Sequence, residues 1–483
     1  MESLKEKTAK GLFWGAMNSG VTQLLNLVIG VFLGRLLSPS DYGMVAVLAI
    51  FTLIAGNLQS CGFTQGLTNI KRPTANDYNS VFWFNVLVSI TLYVLLFFSA
   101  PLIADFFHQP ELTALSRFTF SAFVISSFGI AHNAFMYKNM MNKERAVVGA
   151  VALLVSGVCG ITLALCGFAY WSLAWQQVIY ILVANIGRYF YTYKLWHPTL
   201  KIDFTPVRNM FRFSVKLLAT SIINTIGTNI LTFIFGRYLP IKAVGNYTQA
   251  NKWNTMGSTM ISGMIDYVAQ PVLVEVADDE EREKRVFRKM LRFAAFMSFP
   301  AMFGLGMVAY EFIVLLITEA WADSVPLLRL LCIGGAFAPF YTMFQQLLVS
   351  NGRSDIYLGC SLLQVFLQAA VIMLFINKGV IIMTAAFSAF YIFYLLVWFV
   401  MSKRLIRITF GEVAADILPF AFASFVVMAL VWFTTNGISS LVIRLLLRIV
   451  TAALLYVVVM KAARVSILDE CLAFVSGRFV KKK

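Results

Sequence analysis

Apolar residues fill this chain in long stretches that are separated by short polar segments. Each stretch has roughly the 20 residues that a helix needs to cross a bilayer, and backbone amides in lipid must be paired within helices. The pattern therefore predicts an all-α polytopic membrane protein with about 14 transmembrane helices. The predicted spans are residues 11–34, 43–62, 79–100, 114–135, 146–167, 169–190, 213–236, 247–274, 293–317, 325–349, 356–376, 379–401, 413–434 and 437–462.

The loops between these stretches alternate in charge. Basic clusters occupy every second loop, and the opposite loops are poor in charge or acidic. Because basic loops stay in the cytoplasm, this distribution predicts that both termini are cytoplasmic. Examples of the basic clusters are Lys5, Lys7 and Lys10 at the start, Arg282 to Arg292 in the middle, and Lys481, Lys482 and Lys483 at the end. Segment 282–294 is expected to lie along the membrane surface.

Composition agrees with a chain that lies mostly in the membrane. Hydrophobic residues make up 59% of its 483 residues and charged residues 13%. The net charge of +16 does not indicate nucleic-acid binding, because the basic residues are spread over alternate loops. Six cysteines without CxxC spacing predict neither a disulfide framework nor a metal site. No Walker A, HExxH or GxSxG motif is present, so no catalytic residue or organic cofactor is expected.

A short motif occurs twice at an offset of 202 residues. The positions Gly34, Arg35, Leu37 and Gly43 correspond in this way to Gly236, Arg237, Leu239 and Gly245. Because six spans separate the copies, both run in the same direction, which indicates a parallel repeat. We predict two six-helix lobes, residues 1–200 and 201–410. Two extra helices and a basic cytoplasmic tail follow in residues 411–483.

Polar residues form matching stripes in the first span of each lobe. Asn18, Thr22 and Asn26 share one helix face, and the offset of 202 places Thr220, Asn224 and Thr228 at equivalent positions. Such stripes also serve as hydrogen-bonding contacts between helices. Their repetition in both lobes favours a shared polar cavity that binds substrate.

Charged residues inside the spans are costly and usually face a cavity or a partner. Lys216, Arg117 and Arg329 are the cations that we expect to contact substrate, although Lys216 lies near a span end and can also reach the interface. Asp266 lies deeper, and we expect it to carry a coupling H⁺ or Na⁺ or to form a local ion pair. Since cations outnumber acids, the cavity should suit an anionic group such as a phosphate.

Several sequence pieces carry a resemblance that extends over essentially the whole chain. The chain resembles the polysaccharide-transport (Wzx-type) flippases, in the branch of the colanic-acid exporter, within the superfamily that also holds the multidrug and toxin extruders. The pieces are Gly34-Arg35-Leu36-Leu37-Ser38-Pro39-Ser40-Asp41-Tyr42-Gly43, Val81-Phe82-Trp83-Phe84-Asn85, Gly167 to Leu173, Gly245-Asn246-Tyr247, Phe299-Pro300, Trp321, Pro326-Leu327-Leu328-Arg329 and Asn351-Gly352-Arg353.

This resemblance implies a flippase of the bacterial cytoplasmic membrane with a central cationic cavity. Its cargo would be an undecaprenyl-pyrophosphate-linked oligosaccharide, moved by alternating access for the synthesis of O-antigen, capsule or exopolysaccharide. Membrane lipids and the polysaccharide polymerase machinery are the further partners expected. A multidrug-type cation antiporter is the alternative, but spans 1 to 6 hold no interior acid to bind a cation. A polymerase or ligase would need a larger external loop.

Overall fold

The computed structural model describes the backbone of residues 4–60, 67, 70–200 and 202–475. Side chains within these ranges are described except at 4–19, 209–217, 220, 264, 266–268, 270–271 and 471–475. The described residues form helices and connecting turns without any strand. The chain divides into two compact units, Met1–Gly245 and Asn246–Lys483. The lobe boundaries expected from the sequence, at residues 200 and 410, stay predictions.

The helices of the first unit are long. They are α1 (Leu4–Leu36), α2 (Pro39–Ser60), α3 (Ala75–Phe107), α4 (Leu112–Lys138), α5 (Asn142–Leu165), α6 (Tyr170–Thr192), α7 (Thr205–Tyr238) and the start of α8 (Ile241–Val276). Within this unit α3 packs along α4, α6 packs against α4 and α5, and α1 packs against α5. Helix α7 lies against α2 and α3.

Shorter helices alternate with long ones in the second unit. After α8 come α9 (Glu280–Met307), α10 (Ala309–Ile317), α11 (Ser324–Gly335), α12 (Ala338–Ser350), α13 (Ser354–Phe375), α14 (Val380–Ser402), α15 (Phe410–Thr435), α16 (Leu441–Ala462) and α17 (Ser466–Val475). Here α15 packs along α9, and α16 packs against α15 and α10.

The prediction of a polytopic α-helical membrane protein is confirmed. Ten helical segments in the described part of the chain are long and apolar enough to cross a bilayer. The count of about 14 spans stays a prediction. Two predicted spans are each divided into two helices. Span 293–317 breaks at Val308, and span 325–349 breaks after Gly334 and Gly335, where Pro339 lies in the first turn of α12. A proline at that position starts a helix readily because it has no N–H to be paired.

Two repeat-related glycines of the first unit pack reciprocally. A Cβ atom on Gly43 would overlap the carbonyl oxygen of Ile241, and one on Gly245 would overlap the carbonyl oxygen of Pro39. Pro39 and Ile241 are themselves 202 residues apart. The starts of α2 and α8 therefore approach so closely that only glycine, which has no Cβ, fits at the two crossing points.

Basic residues at the start of α9 pair with acids at the start of α15. Arg288 Nε donates to Asp416 Oδ2 at 2.7 Å, and Lys284 Nζ lies 3.0 Å from Glu412 Oε1. Arg292 Nε lies 3.4 Å from Asp416 Oδ1. Segment 282–294 is the first part of one continuous helix, and these cations hold that helix to α15. Its expected place along the membrane surface stays a prediction.

A buried ion cluster joins α10 to α16. Glu311 Oε1 lies 2.5 Å from Arg444 Nε and 2.8 Å from Arg448 Nη1. Glu311 and Arg448 are each 1% exposed. Arg448 also donates from Nε to Thr435 Oγ1 at 3.0 Å. Since isolated charges are so costly away from water, each member of this cluster is held in place by the others.

Replacing Glu311 by glutamine should destabilise the second unit strongly. The substitution leaves Arg444 and Arg448 without their shared carboxylate, and breaking a buried pair costs about 3–5 kcal/mol. We expect a clear drop in the temperature at which the detergent-purified protein loses its monodisperse peak in size-exclusion chromatography. Glu319→Gln is the matched control, because Glu319 is exposed and accepts only a long hydrogen bond from Tyr310. Equal losses in the two variants would contradict the assigned role of Glu311.

Candidate functional site

A polar cavity lies among α1, α4, α5 and α6 of the first unit. Its volume is about 260 Å³. Two arginines enter it, Arg145 from the first turn of α5 and Arg188 from the last turns of α6. The side chains and backbone that complete its lining belong to Thr22, Asn133, Asn142, Val148, Gly149, Tyr180 and Ala184. Two cations thus share one small space lined mainly by neutral polar groups.

The position of Arg188 is fixed by hydrogen bonds between α6 and α4. Its Nη1 donates to Asn185 Oδ1 at 3.1 Å, and Asn185 Nδ2 donates to the carbonyl oxygen of Ile125 at 2.5 Å. Gly129 makes this approach feasible, because a Cβ there would overlap the Asn185 amide and lie 3.0 Å from Arg188 Nη1. The guanidinium is therefore oriented before any ligand binds.

A buried histidine stands behind this arginine. His132 is 1% exposed, and its Nδ1 lies 2.7 Å from Thr192 Oγ1. The Thr192 hydroxyl in turn donates to the backbone carbonyl of Arg188 at 2.8 Å. His132 thereby packs the end of α6 against α4, as expected for a histidine with a structural role.

Arg145 is held more loosely. Its guanidinium lies over the ring of Tyr137, 4.9 Å from the ring centroid. Neither Arg145 nor Arg188 has a carboxylate partner among the residues that the structure describes. Both side chains are only partly exposed. Partly desolvated cations without counter-ions attract anions, and a guanidinium binds the oxygens of a phosphate in pairs.

A second cavity, of about 270 Å³, adjoins the first and shares Thr22 and Tyr180 with it. Its further polar lining is Asn26, Ser156, Gln176 and Gln177. Ser156 is eleven positions after Arg145 in α5, which corresponds to about 16 Å along the helix. The polar lining therefore continues from the arginines deep into the membrane-spanning part of this unit. Amide and hydroxyl groups of this kind suit sugar hydroxyls, which both donate and accept hydrogen bonds.

Only some of the site residues predicted from the sequence line the cavities. Thr22 lines both cavities, and Asn26 lines the second. Arg117 lies elsewhere in the first unit. Its Nε donates to the carbonyl oxygen of Phe97 at 3.3 Å, and its guanidinium lies 4.3 Å from the centroid of the Phe97 ring. These contacts between α4 and α3 are those of a residue that holds two helices together.

The second polar stripe is described only in part. Asn224 and Thr228 are exposed on α7, where the Thr228 hydroxyl donates to the backbone carbonyl of Asn224 at 2.9 Å. Arg329 is exposed on α11 of the second unit. The side chains of Asn18, Lys216, Thr220 and Asp266 lie outside the described residues. Their roles in binding and ion coupling stay predictions.

Sequence reasoning missed the two arginines of the cavity. The sequence does not distinguish Arg145 from the other basic loop residues, because it belongs to the cluster after the fourth predicted span. Arg188 falls inside the predicted span 169–190, where a cation is rare enough to mark it. The adjacent amides Gln176 and Gln177 in the middle of that span are a second signal.

Long apolar helices packed around a polar cavity are the architecture of a multi-pass membrane transporter. The fold is that of a lipid II flippase, MurJ, solved in an inward closed conformation. The TM-score is 0.75 at 12% sequence identity, covering 94% of this chain and 99% of that one. It also resembles an inward-facing multidrug resistance transporter of the MATE family, with a TM-score of 0.64 at 15% identity, covering 80% and 94%.

Residues 32–326, more than half of the chain, match the family described as polysaccharide biosynthesis protein, and the chain belongs to this family. A relative is the lipopolysaccharide biosynthesis protein WzxC of Escherichia coli (strain K12). It is 27% identical over 369 residues, which cover 76% of this chain and 74% of that protein. The resemblance to polysaccharide-transport flippases is confirmed. The expectation of a membrane transporter rather than an enzyme is also confirmed.

Anion binding at the two arginines can be tested directly on the purified protein. Inorganic pyrophosphate should protect Arg145 and Arg188 from phenylglyoxal, which reacts with accessible guanidinium groups. Peptide mapping by mass spectrometry would measure the protection at each arginine. Arg404 is the internal control, because it is exposed in the turn after α14 and lines neither cavity. Equal modification of Arg188 with and without pyrophosphate would show that the cavity does not bind the anion.

Proposed function

We propose that this protein is a flippase for an undecaprenyl-pyrophosphate-linked oligosaccharide. It carries the molecule across the bacterial cytoplasmic membrane by alternating access, for O-antigen, capsule or exopolysaccharide synthesis. The observation that carries this proposal is the pair of arginines at the end of a polar cavity, Arg145 and Arg188, which have no acidic partner within the described residues. The family of the chain and its flippase fold agree with it.

The cavity offers each part of such a cargo a suitable environment. Arg145 and Arg188 bind the pyrophosphate, because two adjacent guanidiniums supply several charge-assisted hydrogen bonds to its oxygens. Asn26, Gln176 and Gln177 bind sugar hydroxyls in the adjoining cavity. The prenyl chain stays among lipid tails, because the transfer of so much apolar surface out of lipid would gain nothing.

The proposed orientation places the arginines at the entrance for cytoplasmic cargo. Both termini are cytoplasmic in this proposal, since the basic loops lie on that side. Arg145 follows the basic loop residue Lys143 in the first turn of α5, and Arg188 lies near the end of the antiparallel helix α6. Cargo synthesised on the cytoplasmic leaflet would therefore meet both cations first.

The finer architecture belongs to the same proposal: about 14 spans, two six-helix lobes related by a parallel repeat, and two extra helices. Support for the repeat comes from the reciprocal contacts of Gly43 with Ile241 and of Gly245 with Pro39. All four positions obey the offset of 202 residues. We propose that this crossing lies on the external side and closes it, so that it must separate when the protein opens outward.

A multidrug-type cation antiporter is the second candidate, because MATE transporters share the fold. A cationic drug requires an acidic group in the cavity. Among the described residues that line these two cavities there is no Asp or Glu, and the charged ones are the two arginines. The charge of the site thus favours anionic cargo. Asp266 remains the proposed carrier of a coupling H⁺ or Na⁺.

Removing either cavity arginine should abolish export without loss of protein. Arg188→Gln keeps a side chain that can hydrogen-bond Asn185 but removes the charge that binds the phosphate oxygens. We expect a strain that depends on this variant to lose surface polysaccharide and to accumulate the undecaprenyl-pyrophosphate oligosaccharide, measured by mass spectrometry of lipid extracts. Arg145→Gln should behave in the same way.

Lys143→Gln is the matched control, because Lys143 is an exposed cation two residues from Arg145 that does not line the cavity. It should support normal export. Surface polysaccharide at the parental level in the Arg188→Gln strain, with the protein present at normal amounts, would remove the arginine pair from the mechanism. A normal lipid profile in a strain without the protein would favour the antiporter.

Alanine at Gly43 should favour the outward-open state. The added methyl group overlaps the Ile241 carbonyl when the α2–α8 crossing is closed, and overpacking of this kind costs about 1–3 kcal/mol. The readout is a cysteine at Val47, a buried neighbour on α2, in a chain whose native cysteines are replaced by serine. Its labelling by a membrane-impermeant maleimide on intact cells should become faster.

Gly56→Ala in the same helix is the control, because a Cβ there meets no atom within 4 Å. Labelling at Val47 should then stay slow. Unchanged labelling in the Gly43→Ala protein would mean that the glycine crossing does not report on the opening of the external side.

A further inference from the structure

A large apolar groove lies on the first unit between α3 and the start of α7. Its volume is about 680 Å³. The α3 side consists of Phe84, Leu87, Val88, Thr91 and Leu92, which span about 12 Å along that helix. The α7 side consists of Phe204, Val207 and Arg208. None of these residues lines the arginine cavities, so the groove is a separate site.

Hydrogen bonds build the polar end of this groove. The segment before α7 is fixed to α3 by Trp83 Nε1, which donates to the carbonyl oxygen of Thr199 at 2.7 Å. Asn76 Nδ2 donates to Asp203 Oδ2 at 2.7 Å, and the backbone N–H of Thr205 donates to Asp203 Oδ1 at 2.9 Å. The Ser80 hydroxyl donates to the Asp203 carbonyl oxygen. The first turn of α7 therefore has a defined place beside α3.

One cation among the described residues, Arg208, stands at this end. Arg208 is exposed, and its side chain has no hydrogen-bond or ion-pair partner within the described part of the chain. The nearby carboxylate of Asp203 already accepts from Asn76 and Thr205. The amino end of α7 adds a partial positive charge. The groove thus has a cationic end and an apolar length, which is the complement of a lipid with an anionic headgroup.

We propose that this groove binds an anionic phospholipid of the cytoplasmic leaflet. Its phosphate pairs with Arg208, and an acyl chain lies along Leu87, Val88 and Thr91. Trp83 marks the interfacial level beside the headgroup, as tryptophans do in membrane proteins. The lipid would add a further contact between the first turn of α7 and α3. Its assignment to the cytoplasmic leaflet rests on the orientation proposed above, whereas the binding itself is independent of the cargo.

Native mass spectrometry of the full chain in detergent tests this site without any cargo. The probes are dioleoylphosphatidylglycerol and dioleoylphosphatidylcholine, which have the same chains but an anionic and a zwitterionic headgroup. The protein should retain phosphatidylglycerol in preference. Arg208→Gln should lower that preference about fivefold, the factor typical of one basic residue beside an anionic lipid. Thr91→Trp should fill the groove and reduce retention of both lipids.

The Arg404→Gln control and the choice of Thr91 make the result specific to the groove. Arg404→Gln removes an equally exposed cation that lies beside no groove residue, and it should leave the preference unchanged. Thr91 is exposed and bonds only to its own helix, through the Leu87 carbonyl at 2.9 Å, so its replacement leaves the helix contacts intact.

Retention of the full preference in the Arg208→Gln protein would overturn the proposal. So would a protein that retains undecaprenyl phosphate but not phosphatidylglycerol, because the groove would then belong to the tail of the cargo. Since neither measurement involves transport, failure here would leave the flippase proposal standing, and loss of export in the cavity variants would leave the lipid site standing.

Discussion

The cost of a charge in an apolar environment is the constraint on which this structure depends. In the second unit, buried charges are neutralised by one another, as Glu311 is by Arg444 and Arg448. In the first unit, Arg145 and Arg188 have no acidic partner among the described residues and share a water-accessible space instead. An unpaired cation at such a position is tolerated only where solvent or a ligand reaches it. The two cations in this cavity are for that reason the groups that the proposed function uses to bind an anion.

Close backbone contact is the second requirement of the fold. Without a hydrophobic driving force between helices in lipid, packing relies on small residues and on hydrogen bonds. Gly43 and Gly245 let two helix starts touch, and Gly129 lets α6 approach α4 closely enough to fix Asn185 and Arg188. Glycines thus serve both the crossing between repeat-related helix starts and the orientation of a binding residue.

The sequence predicted much of this architecture, because apolar length and loop charge are local properties of the chain. Breaks within predicted spans were missed, since Val308 and the Gly334–Gly335 pair interrupt helices without changing their hydrophobicity. The site was predicted only in part. The spacing predicted Thr22 and Asn26, which line the cavities, whereas the predicted cation Arg117 contacts Phe97 and lines neither of them. Sequence spacing shows which residues share a helix face, but it does not show which neighbouring helix covers that face.

The placement of a few charged side chains also explains why one fold can serve unlike substrates. MurJ and MATE transporters share these helices with the present chain at 12% and 15% identity, so the backbone alone does not select the cargo. Selection must come from a few side chains that line the cavities. In the described first unit these are two guanidiniums beside a row of neutral amides and hydroxyls. Such a site attracts an anion by charge, holds it by paired hydrogen bonds and leaves sugar groups free to contact the amides. A single carboxylate among them would neutralise one arginine and weaken that preference, which is why the lack of an acid among the described lining residues matters as much as the two cations.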